Sequence, residues 1–233
     1  GEVTVNDPLG PDNYGYYIYD EGDIDFEFAP EYNWYEIDPE YGGSGTNLGL
    51  VDYGNGNYNN SITTVDLPFT FTFYGIDYDQ MTICTNGWVS FGETNMESFR
   101  NYELPGAGGP SPMVAVFWDD LKTTNGGDVF SDYLPDEQKY IVEWSNMRTY
   151  NENSQETFQL ILCNTDSETG TGDDEILMQY REFNNTSSGY YPVGFWSGAV
   201  IHGAYASIGL ENHLGNDGLE YTFNNQYPIA AEI

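Results

Sequence analysis

From residue 61 onward the chain breaks into short alternating apolar runs, and no stretch sustains a helical period over three turns. The runs are ITTVDL (62–67), FTFTFY (69–74), MTICT (81–85), WVSF (88–91) and MVAVFW (113–118). They continue with KYIVEW (139–144), TFQLILC (157–163), EILMQYR (175–181), AYASIGL (204–210) and LEYTF (219–223). Each is β-branched or aromatic and bounded by turn residues. Asn86-Gly87 lies between two of them and marks a hairpin. About ten strands in one chain predict an all-β fold, an antiparallel two-sheet β-sandwich of jelly-roll-like layout. Long Gly-, Asn- and Asp-rich loops join the strands, as in YGGSGTNLGLVDYGNGNYNN (41–60). A length of 233 residues fits one domain spanning 1–233. GEVTV, set off by Asn6-Asp7-Pro8, and YPIAAEI suggest that 1–6 and 227–233 are extended terminal strands for inter-subunit or inter-domain pairing. The start at Gly1 is what a mature or excised segment would show.

The charge is the second constraint. Five Lys and Arg stand against 38 Asp and Glu, a net charge of −33. Such acidity with little apolar residue would predict disorder, but 17% of the residues are aromatic and can bury large areas. A chain with five cations cannot neutralise phosphates, which excludes nucleic acid and anionic membrane surfaces as partners. No run is long enough to insert in a membrane as a helix. The field attracts cations, and metal ions or salt would relieve its self-repulsion.

Residues 20–28, DEGDIDFEF, concentrate the problem. Asp23, Asp25 and Glu27 alternate with Ile24, Phe26 and Phe28, so a strand here would carry an acidic outer face over a buried apolar one. Asp20 and Glu21 add charge at the preceding turn, with no cation before Arg100. Ca²⁺ takes six to eight oxygens, and DPLGPDNYGYYIYDEGDID supplies them in a Gly- and Pro-shaped loop, although not in EF-hand order. The expected ligands are Asp12, Asp20, Asp23 and Asp25, with a second site at Asp119 and Asp120. TDSETGTGDDE (165–175) reads as an exposed acidic hairpin loop, with Asp166, Asp173 and Asp174 as a weaker third set.

Catalytic signals are sparse. There are two histidines, His202 and His213, and no G-x-S-x-G, H-E-x-x-H or phosphate loop. Cys84 and Cys163 sit in apolar runs, which favours buried free thiols over a disulfide. Asp119-Asp120 as a glycosidase pair is uninformative in so acidic a chain. The expectation is a noncatalytic protein. Trp88, Trp118 and Trp144 lie in strands and belong to a core, which leaves GYYPVGFW (189–196) as the candidate exposed platform. Tyr190, Tyr191 and Trp196 are its expected ligand-binding rings, with glycans as the ligand class. Asn59-Asn60-Ser61, Asn184-Asn185-Thr186 and Asn185-Thr186-Ser187 match glycosylation sequons.

FTFYGIDYDQMTICTNGWVSFG (71–92), followed by VAVFWDDL (114–121) and DVFSDY (128–133), resembles a nidogen-type extracellular domain. DPLGPDNYGYYIYD (7–20), PEYNWYEIDPEYGGSGTNLGL (30–50) and ASIGLENHLGNDGLEYTFNNQYP (206–228) resemble a unit found beside gingipain-like peptidases in large secreted bacterial surface proteins. The resemblance implies a secreted, cell-surface, noncatalytic β-sandwich. With the acidic loops, it leads to the expectation of a calcium-stabilised domain for adhesion or assembly. Self-association, a filament built by terminal strand exchange, and neighbouring domains of a larger surface protein are the expected contacts. The alternative is a carbohydrate-binding accessory module of a secreted hydrolase.

Overall fold

A computed structural model describes residues 6–164, 169–187 and 203–226. The expected terminal pairing strands lie outside these residues apart from Asn6, as do Tyr190, Tyr191, Trp196 and Asp166.

Fourteen strands are described. They begin with β1 (Thr46–Asn47), β2 (Val51–Asp52), β3 (Tyr58–Asn60), β4 (Ile62–Phe73), β5 (Ile76–Cys84), β6 (Trp88–Phe91) and β7 (Met113–Trp118). They continue with β8 (Leu121–Lys122), β9 (Asp128–Leu134), β10 (Lys139–Thr149), β11 (Gln155–Cys163), β12 (Glu175–Glu182), β13 (Ser207–Glu211) and β14 (Gly218–Thr222). One sheet has the order β14-β13-β7-β6-β5-β4; the other runs β1-β9-β10-β11-β12, with β8 also on β10. β2 and β3 form a separate hairpin. All of these pairs are antiparallel. The jelly-roll likeness stops at the two-sheet layout, because each sheet is filled mainly by consecutive strands. The ten runs supply nine of these strands, two of them merging in β4; the rest are β9 and the pieces β1, β2, β3 and β8, of two or three residues and too short to show a period.

Two hairpins show how local chemistry sets register. β4 and β5 turn through Tyr74-Gly75, both at positive φ (50° and 69°), as a two-residue primed turn requires. β5 and β6 turn through Thr85-Asn86-Gly87, with Gly87 at φ 73°. Residues 62–67 and 69–74, predicted as separate runs, join in β4 with a register shift between Asp66 and Phe71. Pro68, which has no N–H to donate, falls inside the shift.

The sheets pack face to face. On β10, Tyr140, Val142 and Trp144 point into the central core, while Ile141 belongs to a cluster on the outer face. Phe158 stacks on Phe117 of the opposite sheet at 5.3 Å and on Trp144 at 5.1 Å. Trp144 Nε1 donates across the core to Cys84 O at 2.8 Å, so the indole fills volume and closes a polar account together.

Both outer faces are also covered. Loop residue Ser98 accepts from Trp88 Nε1 (2.8 Å) and Trp118 Nε1 (3.0 Å) over the first sheet. Residues 33–45 form a strap over the second. Asn33 and Gln179 exchange two 2.8 Å bonds, Gln159 Nε2 donates to Tyr35 O, and Ser145 Oγ donates to Asp38 Oδ2 at 2.6 Å. Cys84 lies in the outer cluster of one sheet and Cys163 in that of the other, and both are free thiols.

Candidate functional site

The expected strand at DIDFEF does not form. Residues 20–29 make successive turns, in which Asp23 N bonds Asp20 O, Phe26 N bonds Asp23 O and Ala29 N bonds Phe26 O. Asp25 and Glu27 are exposed as expected, but Asp23 is 2% exposed, and the apolar residues expected to be buried are not, with Ile24 80% and Phe28 58% exposed. Side-chain to main-chain bonding explains this. Asp20 Oδ1 accepts from Gly22 N at 2.7 Å, and Asp23 Oδ2 accepts from Asp20 N at 2.9 Å. Such Asx turns compete with a ladder for the same N–H groups.

Residues 6–32 thus form an arm rather than a strand, and tyrosine hydroxyls hold it down. Asp12 accepts from Gly15 N (2.7 Å), Tyr16 N (2.9 Å) and Tyr74 Oη (2.6 Å). Asp173 accepts from Tyr14 Oη (3.0 Å), Tyr16 Oη (2.8 Å) and Gly75 N. Asp20 Oδ2 accepts from Tyr221 Oη at 2.8 Å, and Asp217 accepts from Asn13. Burial and the facing carboxylates push the Tyr16, Tyr74 and Tyr221 phenols upward, so they remain donors. In a chain with few cations, phenols and backbone amides take the place of lysines.

Of the expected ligands, the structure brings Asp20 and Asp23 together. Asp12 sits apart at the Tyr74 turn, and Asp25 is exposed. Asp23 Oδ1 is buried without a hydrogen-bond partner among the described residues. Burial raises the Asp23 pKa, and the charges of Asp20 and Asp7 add to that rise. Among the described residues, no three His, Cys, Asp or Glu side chains converge as a metal centre.

Asp119 and Asp120 directly follow β7 inside the protein, both 0% exposed. Asp119 Oδ1 accepts from Asp120 N at 2.7 Å, and both Asp120 oxygens lie 2.9 Å from Asn55 N. Asp52, near Asp120, accepts from Thr85 Oγ1 at 2.6 Å. Burial drives Asp119 to about 7 and Asp120 to about 8, with the charges of Asp119 and Asp52 adding to the rise at Asp120. Glu143 and Glu156, also desolvated, rise to about 7. These groups can hold protons near neutrality. Burial pushes the Cys84 and Cys163 thiols up to about 12, which removes the thiolate that nucleophilic chemistry needs. Of the sequons, Asn59 is exposed, whereas Asn185 is buried with its amide bonded to Asn225 O and Gln226 O.

Between the arm and residues of β12, β13 and β14 lies a cavity of about 1620 Å³. Tyr17, Tyr19, Phe28 and Tyr32 line it on the arm side. Of these rings, Phe28 belongs to the alternating DIDFEF run, whose pattern points to a buried strand face rather than to a surface.

A family model described as NIDO related matches residues 40–232. The chain belongs to the NIDO-related family. No curated protein and no solved structure matches it. The NIDO-related match takes in both sheets and begins after the arm, so the aromatic and acidic face of residues 6–32 lies outside it. Family membership fits the expected extracellular β domain. No helix among the described residues is long and apolar enough to cross a membrane.

Proposed function

We propose that this NIDO-related domain is a noncatalytic, extracellular adhesion and assembly module of the cell surface, whose arm is its docking face. One observation carries the reading. Of the eleven large hydrophobic residues exposed among the described residues, seven lie on the arm: Leu9, Tyr14, Tyr17, Ile24, Phe26, Phe28 and Tyr32. Concentrated exposed apolar surface is the mark of an interaction site. The partners in this reading are neighbouring domains of a larger surface protein. Exchange of the terminal strands is the route by which copies would build a filament.

Calcium enters as a stabiliser of the arm. Asp20 and Asp23 are its ligands in this reading, supported by the buried, unpartnered Asp23 Oδ1. Main-chain carbonyls and water would complete the oxygen shell that Ca²⁺ prefers.

The test is adhesion of the purified domain to cell envelopes of the source cells, with negative-stain microscopy alongside. Wild type should adhere, and Tyr17→Ala with Phe28→Ala should not. Filaments, where seen, should vanish on deletion of residues 1–6. A domain that remains monomeric and does not adhere would overturn the reading, as would turnover of a glycan or peptide.

A further inference from the structure

We propose that the groove between the arm and strands β12 and β13 takes up a lysine- or arginine-bearing segment of a partner polypeptide. The inference rests on the arm being a docking face and names the chemistry of its partner. The described lining carries five carboxylates, Asp20, Glu21, Glu31, Asp174 and Glu175, against one ammonium, Lys139. That ammonium is already engaged, donating to Tyr35 Oη at 2.6 Å and Glu137 Oε2 at 3.0 Å. Glu21, Glu31 and Glu175 are exposed to solvent. Tyr17, Tyr19 and Phe28 line the same groove, with Tyr17–Tyr19 centroids 6.1 Å apart and Tyr19–Phe28 centroids 5.7 Å apart. Aromatic faces attract cations, and adjacent carboxylates add to that attraction.

The molecule uses this combination on itself. The Arg181 guanidinium lies 5.0 Å from the Trp34 ring centroid and 5.1 Å from that of Tyr41, and bonds Glu36 at 2.6 Å. Lys139 lies 4.9 Å from the Tyr35 ring centroid and bonds Glu137. In both cases the rings belong to the strap that continues from the arm, so the groove presents the same receptor with the cation left to a partner. A second copy is a poor source, at a net charge of −33 with five Lys and Arg. Arg100 and Lys122 also lie over rings, and Arg148 donates to Asn153 O, which engages all five cations of the chain. A homotypic contact would set acid against acid. Charge complementarity therefore favours a different, basic polypeptide.

The test is fluorescence anisotropy of a labelled peptide of Gly-Arg repeats at physiological ionic strength. The same peptide with citrulline, a neutral isostere of arginine, is the comparison. Tyr17→Ala with Phe28→Ala leaves the net charge untouched, and both rings are exposed, so melting should confirm the fold. The expected result is binding of the arginine peptide, little binding of the citrulline peptide, and about a tenfold loss in the double variant. Tyr53→Ala with Met96→Ala, exposed elsewhere, should change nothing. Equal affinity of wild type and arm variant would overturn the proposal, since the peptide would then be answering only to the overall field. Ring-dependent binding of cellohexaose without binding of the arginine peptide would also overturn it. If the arm variant loses envelope adhesion while peptide affinity is unchanged, the docking face stands and the cationic partner falls. If neither changes, both fall.

Discussion

Tyr74 Oη donates to Asp12 Oδ2 at 2.6 Å and joins the β4–β5 turn to a residue sixty-two positions earlier. The bond is short, charge-assisted and half-buried, and it anchors the arm to the sandwich. Tyr74→Phe keeps the ring and the backbone and removes only the hydroxyl. The expected cost is about 1.5–3 kcal/mol, the range for bonds to charged groups. Faster proteolysis within residues 20–32 should accompany it. Unchanged melting and unchanged cleavage would show that the arm is held by ring packing alone.

The buried acids predict an unusual pH dependence. An acid whose folded pKa is raised binds a proton in the fold that the unfolded chain has released. Stability from that group is full below the unfolded pKa, about 4, and is lost as pH rises through the folded value. With Asp119, Glu143 and Glu156 at about 7 and Asp120 at about 8, stability should fall between pH 5 and 8. The slope is up to about 1.4 kcal/mol per pH unit for each group protonated only in the fold. Asp119→Asn should flatten the curve and stabilise the protein above pH 8 by about 1–3 kcal/mol. The amide oxygen can still accept from Asp120 N, and the amide nitrogen replaces an oxygen that has no hydrogen-bond partner among the described residues. Urea titrations across this range provide the measurement, and a parallel fall in wild type and variant would clear Asp119 of the effect.

Calcium and salt should be separable. At −33, added NaCl should raise the melting temperature by screening. If Asp20 and Asp23 hold Ca²⁺, millimolar CaCl₂ should raise it beyond NaCl of matched ionic strength, the added stability being about 2.7 kcal/mol at a hundred times Kd. Asp23→Asn should remove the excess and leave the NaCl response intact. An excess that survives the substitution would move the ion elsewhere, and no excess would remove calcium from the proposed function.

The sandwich was legible because strand periodicity is a burial pattern, and burial here is strong. Residues 88–91 and 113–118 emerge as β6 and β7 with the expected bounds, and Trp88, Trp118 and Trp144 are in cores as expected. The arm was not legible, for a physical reason. Alternation in DIDFEF is a local property, whereas its conformation is decided by Asx turns and by Tyr221, two hundred residues away. The same limit hid the acid–phenol clamps. Composition shows 21 Tyr and 38 acids, but only the fold pairs Tyr14 and Tyr16 with Asp173. The Asp119–Asp120 dipeptide stood out in the sequence, but its desolvation depends on the loops packed over the end of β7.

The Asn86-Gly87 hairpin offers a test of close approach against backbone strain. Gly87 sits at positive φ, and its carbonyl accepts from Val116 N (3.0 Å) and Phe117 N (2.9 Å). A Cβ there would collide with the Phe117 carbonyl, a backbone group that cannot swing away. Gly92 also has positive φ, but a Cβ there would meet nothing within 4 Å. Gly92→Ala should therefore cost only the left-handed penalty, about 1–2 kcal/mol. Gly87→Ala adds overpacking against β7 and should cost about 3 kcal/mol or more. Asn86 Oδ1 accepts from Leu121 N at 2.9 Å, so displacing the hairpin also strips a buried amide at the Asp119–Asp120 end of β7. Gly87→Ala should then alter the pH dependence as well as the midpoint of unfolding, and Gly92→Ala should shift the midpoint alone. Equal losses in the two variants would mean that φ strain dominates and that β7 yields to the added methyl.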